Sequence, residues 1–163
     1  MQIRRLGEKN REENQKFRKW IKSHKFVERQ FRHAAEEVHE AIDCRKCAEC
    51  CRVTEVEIFP KDVERLAKHF RLSQKQFKEQ YTATSEDGGE MILRRTKTGC
   101  IFLDGNDCTI YEVRPKTCET FPHLLRGMGS IPFRMWAFVD RATYCPIVYN
   151  WMEKVKDLTN FRK

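Results

Sequence analysis

Residues 44–51 read Cys44-Arg45-Lys46-Cys47-Ala48-Glu49-Cys50-Cys51, four thiols within eight residues. Such crowding has few uses other than holding a metal. Cys44, Cys47 and Cys50 are each three residues apart, a spacing that lets a short turning loop aim three sulfurs at one centre. Cys51 follows directly, so its side chain is expected to point elsewhere. The vicinal pair implies either two neighbouring sites or one ligand beside an uncoordinated thiol. Cys100, Cys108, Cys118 and Cys145 are widely spread and are expected to supply the remaining ligands once the fold returns them. The chain reads as built around a cysteine-ligated metal site.

Composition bounds what else it can be. With 163 residues, one folding unit is the natural expectation. Hydrophobic residues make up 40% and charged residues 34%, which predicts a modest core that a bound metal would help to hold together. Eight cysteines suit a disulfide scaffold in a secreted protein, but Met1 to Lys25 has no apolar run of signal-peptide length. No segment approaches the roughly 18–20 apolar residues that span a bilayer. The expectation is a cytoplasmic protein with reduced cysteines and no membrane partner. The formal charge of +8 suggests nucleic acid as a partner. Each ion or [4Fe-4S] core held by four thiolates contributes roughly −2, however, so part of the excess is expected to balance metal centres.

Taken in order, residues 10–43 predict one long amphipathic helix, with Phe17, Trp20, Ile21, Phe31, Ala35 and Val38 on its apolar stripe. Met1 to Lys16 has few apolar residues, and this arm is a candidate docking element for a protein partner. Val53 to Phe59 alternates apolar and polar residues like a short strand. Pro60 suits the first turn of a helix through Phe70, and Ser73 with Gln76 forms a capping box for the next. Thr82 to Glu90 reads as a loop. Met91 to Tyr111 reads as strands with a turn at Asp104-Gly105-Asn106-Asp107, pairing Leu103 with Cys108 and Cys100 with Tyr111. That register sends Cys100 and Cys108 to opposite faces. Ile131 to Val139 reads as another strand, and Cys145-Pro146 opens a final helix. The expected fold is α+β, a small metal-stapled domain with a short antiparallel sheet over 44–163, preceded by the arm and helix of 1–43 as one folding unit.

The spacing also bears on the metal. Isolated zinc sites usually draw on two separated ligand pairs, which three equally spaced cysteines fit poorly. Ferredoxin-type loops use Cys-x-x-Cys-x-x-Cys for three corners of an iron–sulphur cubane, with a remote cysteine often followed by proline, a role Cys145-Pro146 would fit. An iron–sulphur cluster, [4Fe-4S] in type, therefore stands ahead of zinc. The candidate ligands are Cys44, Cys47, Cys50, Cys51, Cys100, Cys108, Cys118 and Cys145, with His123 as a further candidate. Arg114 is a candidate to donate hydrogen bonds to metal-bound sulfurs and offset their charge, with pairing to a carboxylate as the alternative. Tyr111 reads as a core aromatic.

The chain resembles the CxxCxxCC cysteine-cluster family, also called YkgJ-like and described as zinc- or iron-chelating. The resemblance rests on Cys44, Cys47, Cys50 and Cys51, on Gly99-Cys100-Ile101-Phe102-Leu103, on Cys108-Thr109-Ile110-Tyr111, and on Arg114-Pro115-Lys116-Thr117-Cys118 with Phe121-Pro122. It covers residues 44 to about 146 and leaves out the preceding helix. What it implies is metal chelation rather than one shared reaction. Similar clusters in flagellin lysine methylases imply an iron–sulphur enzyme of protein lysine methylation as one alternative. A zinc-stabilised module that binds nucleic acid or protein is another. The chain has no glycine-rich nucleotide loop after a strand, no P-loop and no His-Glu-x-x-His helix, and no general acid or base announces itself.

Overall fold

The computed structural model of the chain describes residues 2–86, 88–127 and 129–161. Their helices and strands are, in order, α1 (Gln2–Lys9), α2 (Arg11–Trp20), α3 (Glu28–Ala41), α4 (Cys44–Cys47), α5 (Glu49–Val53), α6 (Pro60–His69), α7 (Gln74–Tyr81), β1 (Thr82–Thr84), β2 (Met91–Leu93), β3 (Arg95–Thr96), β4 (Gly99–Cys100), β5 (Leu103–Asp104), β6 (Asp107–Cys108), α8 (Lys116–Thr120), α9 (Ile131–Arg141) and α10 (Pro146–Leu158). The fold is α+β: helices with antiparallel two-stranded ladders β1–β2, β3–β4 and β5–β6. The chain divides into two compact units. One joins Met1–Asp43 to Pro122–Lys163 and is helical; the other is Cys44–Phe121.

In the helical unit, α2 packs on α9 and α3 on α10. Their apolar faces enclose Phe17, Phe31, Phe138 and Trp151, each at most 1% exposed. The Trp151 indole N–H donates to the Phe31 carbonyl at 3.0 Å, which satisfies the polar edge of a buried ring. Lys156, also buried, is neutralised by Glu13 at 2.7 Å. Gly7 of α1 lies against the backbone of Ala142 and Thr143, where no Cβ would fit, so the N-terminal segment packs on its own unit. Residues 10–43 do not form the single helix expected. The chain breaks after Trp20, whose carbonyl is claimed by the Ser23 hydroxyl at 3.0 Å and His24 Nδ1 at 2.8 Å, and helix resumes at Glu28. Local side-chain donation of this kind, to a backbone carbonyl, competes with the helical ladder.

The strand expected over Ile131 to Val139 is the helix α9. Its buried positions Ile131, Arg134, Met135, Phe138 and Val139 recur at helical spacing, and Pro132 sits in the first turn, where its missing N–H costs nothing. A short apolar run preceded by glycines does not distinguish strand from buried helix.

The cysteine unit is built on α6 and α7, which pack together over Val63, Leu66 and Phe77. The capping box at α7 is present: Gln76 N–H donates to Ser73 Oγ at 3.2 Å and Ser73 N–H to Gln76 Oε1 at 2.9 Å. The helix predicted from Pro60 is α6. Thr82 to Glu90, expected as a loop, begins with β1, which pairs Thr82 with Leu93 and Thr84 with Met91. The strand expected over Val53 to Phe59 is reduced. Val53 ends α5, and residues 56–58 run beside β2 through a bridge between Glu57 and Ile92.

Candidate metal centre

Two short helices carry the first four cysteines. Between α4 and α5, Ala48 adopts a left-handed conformation (φ 53°, ψ 13°), at a cost of roughly 1–2 kcal/mol for an L-residue. This kink sets Cys44 and Cys47 on one turn and Cys50 and Cys51 on the next. Cys44 is exposed; Cys47, Cys50 and Cys51 are half-buried. All eight cysteines are thiols outside any disulfide.

The hairpins bring the later cysteines to α5. Leu103 pairs with Cys108 as expected, but Cys100 pairs with Arg95 in a separate ladder, not with Tyr111. The strand is interrupted at Ile101–Phe102, so the opposite-face argument fails. Gly99 makes the junction with α5. Its φ of +143° favours glycine, and a Cβ there would lie 2.6 Å from the Cys51 carbonyl oxygen and 3.0 Å from Arg52 Cα. Cys118 sits on α8, which is pinned to the start of α6 by the buried Asp62 carboxylate. Asp62 accepts from Lys116 N–H at 3.0 Å, Phe59 N–H at 3.2 Å and Arg65 Nη2 at 2.8 Å. Asp62→Ala is expected to cost about 3 kcal/mol, because buried donors lose a charged acceptor. Thermal denaturation measures this loss, and Asp62→Asn is expected to lose less.

Electrostatics identify which sulfurs share a neighbourhood. Burial pushes the Cys100 thiol up to about 11, against the opposing effect of the Phe102 N–H, with like charge from Cys51 and Cys108 adding to the rise. Cys108 is raised by burial and by Cys51, opposed by the Ile110 N–H and Arg114. Cys118 is raised by burial and then by Cys51, Cys100 and Cys108, again opposed by Arg114. Cys51 moves the other way, to about 7, through its hydrogen bond with Cys50 and the nearby charges of Arg52 and Arg95, with burial opposing. Cys51, Cys100, Cys108 and Cys118 thus feel one another, and each also packs in or against the apolar core of this unit. Among the described residues, no three Cys, His, Asp or Glu side chains already stand arranged around one ion position.

The donor chemistry fits a thiophilic metal. Amides two residues beyond Cys100 and Cys108 donate to their sulfurs, and guanidinium groups from Arg52, Arg95 and Arg114 face the cluster. Both features favour thiolate over thiol. Arg114 is held by stacking on Tyr111, 3.9 Å from the ring centroid, and by donating to the Tyr111 carbonyl at 2.7 Å. Arg45 of α4 also stands over that ring, at 4.9 Å, which gives Tyr111 a bracing role. Arg95 was not singled out in the sequence. Its Nη2 donates to the Arg52 carbonyl at 2.7 Å and its Nη1 to that of Thr54. The only hint was an Arg94-Arg95 pair just before Gly99-Cys100.

Cys145 and His123 belong to the helical unit. Cys145 is buried ahead of α10, and His123 has its pKa lowered by burial and by Arg141. The basic residues fall in both units: Arg18, Lys19, Lys22, Arg29 and Arg32 in the helical one, Arg45, Lys46 and Arg52 in the other. The excess of basic over acidic residues lies almost wholly in the helical unit, while in Cys44–Phe121 the two nearly balance. The surplus therefore does not belong to the segment that carries the clustered thiols. No helix among the described residues is long and apolar enough to cross a membrane.

Neither curated proteins nor solved structures yielded a match to this chain. A family model, CxxCxxCC, described as "Putative zinc- or iron-chelating domain", matches residues 43–146. That span takes in α4 through the whole thiol cluster and leaves out α1 to α3. With the thiols gathered as described, the chain belongs to the CxxCxxCC family of zinc- or iron-chelating proteins.

Proposed function

We propose that Cys44–Phe121 is a thiolate metal centre in a cytosolic protein, and that its occupant is an iron–sulphur cluster that serves structure and electron transfer. The observation that carries this reading is the approach of Cys51, Cys100, Cys108 and Cys118 to one another on an arginine-flanked core. Metal binding completes the convergence that the fold begins. Seven of the eight cysteines lie in this one unit, more than a single closed zinc site of four ligands uses. The Cys-x-x-Cys-x-x-Cys spacing supports the cluster as occupant. A bound cluster would supply one-electron chemistry, and the chain's own contribution is to hold the thiolates and offset their charge. Zinc is the second reading, favoured because the inner thiols number four.

The test is iron, zinc and acid-labile sulfide content with a visible spectrum, on protein purified without oxygen or added metal. Iron with sulfide and a broad brown absorbance supports the cluster; stoichiometric zinc in colourless protein supports the second reading. Protein with neither metal contradicts both. Burial holds Cys100, Cys108 and Cys118 protonated at neutral pH, so metal uptake is expected to release protons and to tighten as pH rises. Titration in unbuffered solution measures the release.

A further inference from the structure

We propose that Arg52 is the positioning residue of this centre: its guanidinium locks the Cys44–Cys47 turn onto the Cys108 hairpin, so that thiols from the two segments address one metal. The inference deepens the thiolate-centre reading and rests on it. The two segments are separate in sequence, and Arg52 spans them with different nitrogens. Its Nη1 donates to the Cys47 carbonyl at 3.0 Å. Its Nη2 donates to the Gly105 carbonyl at 2.8 Å and to Asn106 Oδ1. Asn106 returns the contact, its Nδ2 donating to the Lys46 carbonyl at 3.4 Å. Glu49 lies 3.8 Å from Nη1 and fixes the side chain from its own helix.

The backbone of Arg52 is held as firmly as its tip. Arg95 donates to its carbonyl, and Gly99 packs against its Cα. A residue anchored at both ends, with a rigid planar fork between, transmits the position of one segment to the other. Lysine keeps the charge but presents all its donors from one nitrogen, so it cannot reach the Cys47 and Gly105 carbonyls in the same way. Arg52→Lys therefore separates the fork from the charge, and Arg52→Gln removes both. Asn106→Ala removes the returning contact from an exposed turn.

The experiment is thiol alkylation of metal-loaded full-length protein, read cysteine by cysteine by mass spectrometry, beside far-UV circular dichroism. In the wild type, Cys44, Cys47, Cys100, Cys108 and Cys118 are expected to be protected by metal and exposed by chelator. In Arg52→Lys and Arg52→Gln, Cys44 and Cys47 are expected to react about 10–100-fold faster, in proportion to the metal affinity lost with a residue that orients ligands. Cys100 and Cys118 stay protected and the dichroism is unchanged. Asn106→Ala moves Cys44 and Cys47 in the same direction by less. Protection of Cys44 and Cys47 that is unchanged in all three variants overturns the proposal. So does equal exposure of every cysteine of the unit in all three, which would make these residues general fold supports. Wild-type Cys44 and Cys47 that metal never protects, with Cys100 and Cys118 protected, overturn the proposal and leave the thiolate-centre reading standing. Wild-type protein that binds no metal overturns that reading as well, so the two failures are distinct.

Discussion

Gly99→Ala is expected to destabilise the Cys44–Phe121 unit by about 2–6 kcal/mol and to lower its bound metal. Two independent penalties add. The backbone at Gly99 has φ +143°, where an L-residue costs of order 1–3 kcal/mol. The new methyl would stand 2.6 Å from the Cys51 carbonyl oxygen and 3.0 Å from Arg52 Cα, both backbone atoms that cannot swing aside. Relief by moving β4 away from α5 costs a further ~1–3 kcal/mol of the kind seen when a packed core is overfilled. The same movement carries Cys100 away from Cys51, so metal and stability fall together. Calorimetry with metal analysis on the same sample checks this. Tryptophan fluorescence does not, because Trp20, Trp136 and Trp151 all lie in the helical unit. Wild-type melting and metal content in Gly99→Ala would mean that β4 and α5 are not pressed together as described.

Cys118→Ser is expected to have the other large effect. Changes to residues that merely orient ligands cost 10–100-fold in metal affinity, so loss of a ligand is expected to cost more than about 100-fold. A buried cysteine is also a small apolar residue, and serine in its place would cost stability without any metal. The two causes separate when melting is compared with and without metal. If Cys118 is a ligand, the stabilisation that metal confers is largely lost in the variant. If it is only packing, apo and loaded forms fall equally. Cys145→Ser is the companion: our reading draws its ligands from Cys44–Phe121 and expects metal content unchanged, whereas loss of metal would bring the helical unit into the site.

The sequence was legible where chemistry is local. Pro60 and the Ser73/Gln76 box announced α6 and α7 because helix starts are written in a few adjacent residues. The cysteine stretch announced a metal because thiol crowding has few other uses. It was less legible where tertiary context decides. Ile131 to Val139 is apolar enough for a strand and folds as α9, since a mostly apolar run interrupted only by Arg134 fits either period. Trp20 to Val27 keeps a helical pattern through a break made by side chains that donate to the Trp20 carbonyl. The face argument separated Cys100 from Cys108 because it assumed one continuous strand, and two short ladders replace it. Arg52 and Arg95 carried no motif, and Gly99 entered only as the first residue of the Gly99–Leu103 stretch of the family resemblance. Their roles arise only when α5, β4 and the Gly105–Asn106 turn meet, and no residue spacing records that meeting.

The most direct test of the central claim is X-ray absorption at the metal edge of the wild-type protein as isolated. Ligation by the thiols of Cys44–Phe121 predicts a first coordination shell of sulfur, at about 2.3 Å if the metal is zinc. A shell of nitrogen or oxygen at about 2.0–2.2 Å without sulfur would contradict it.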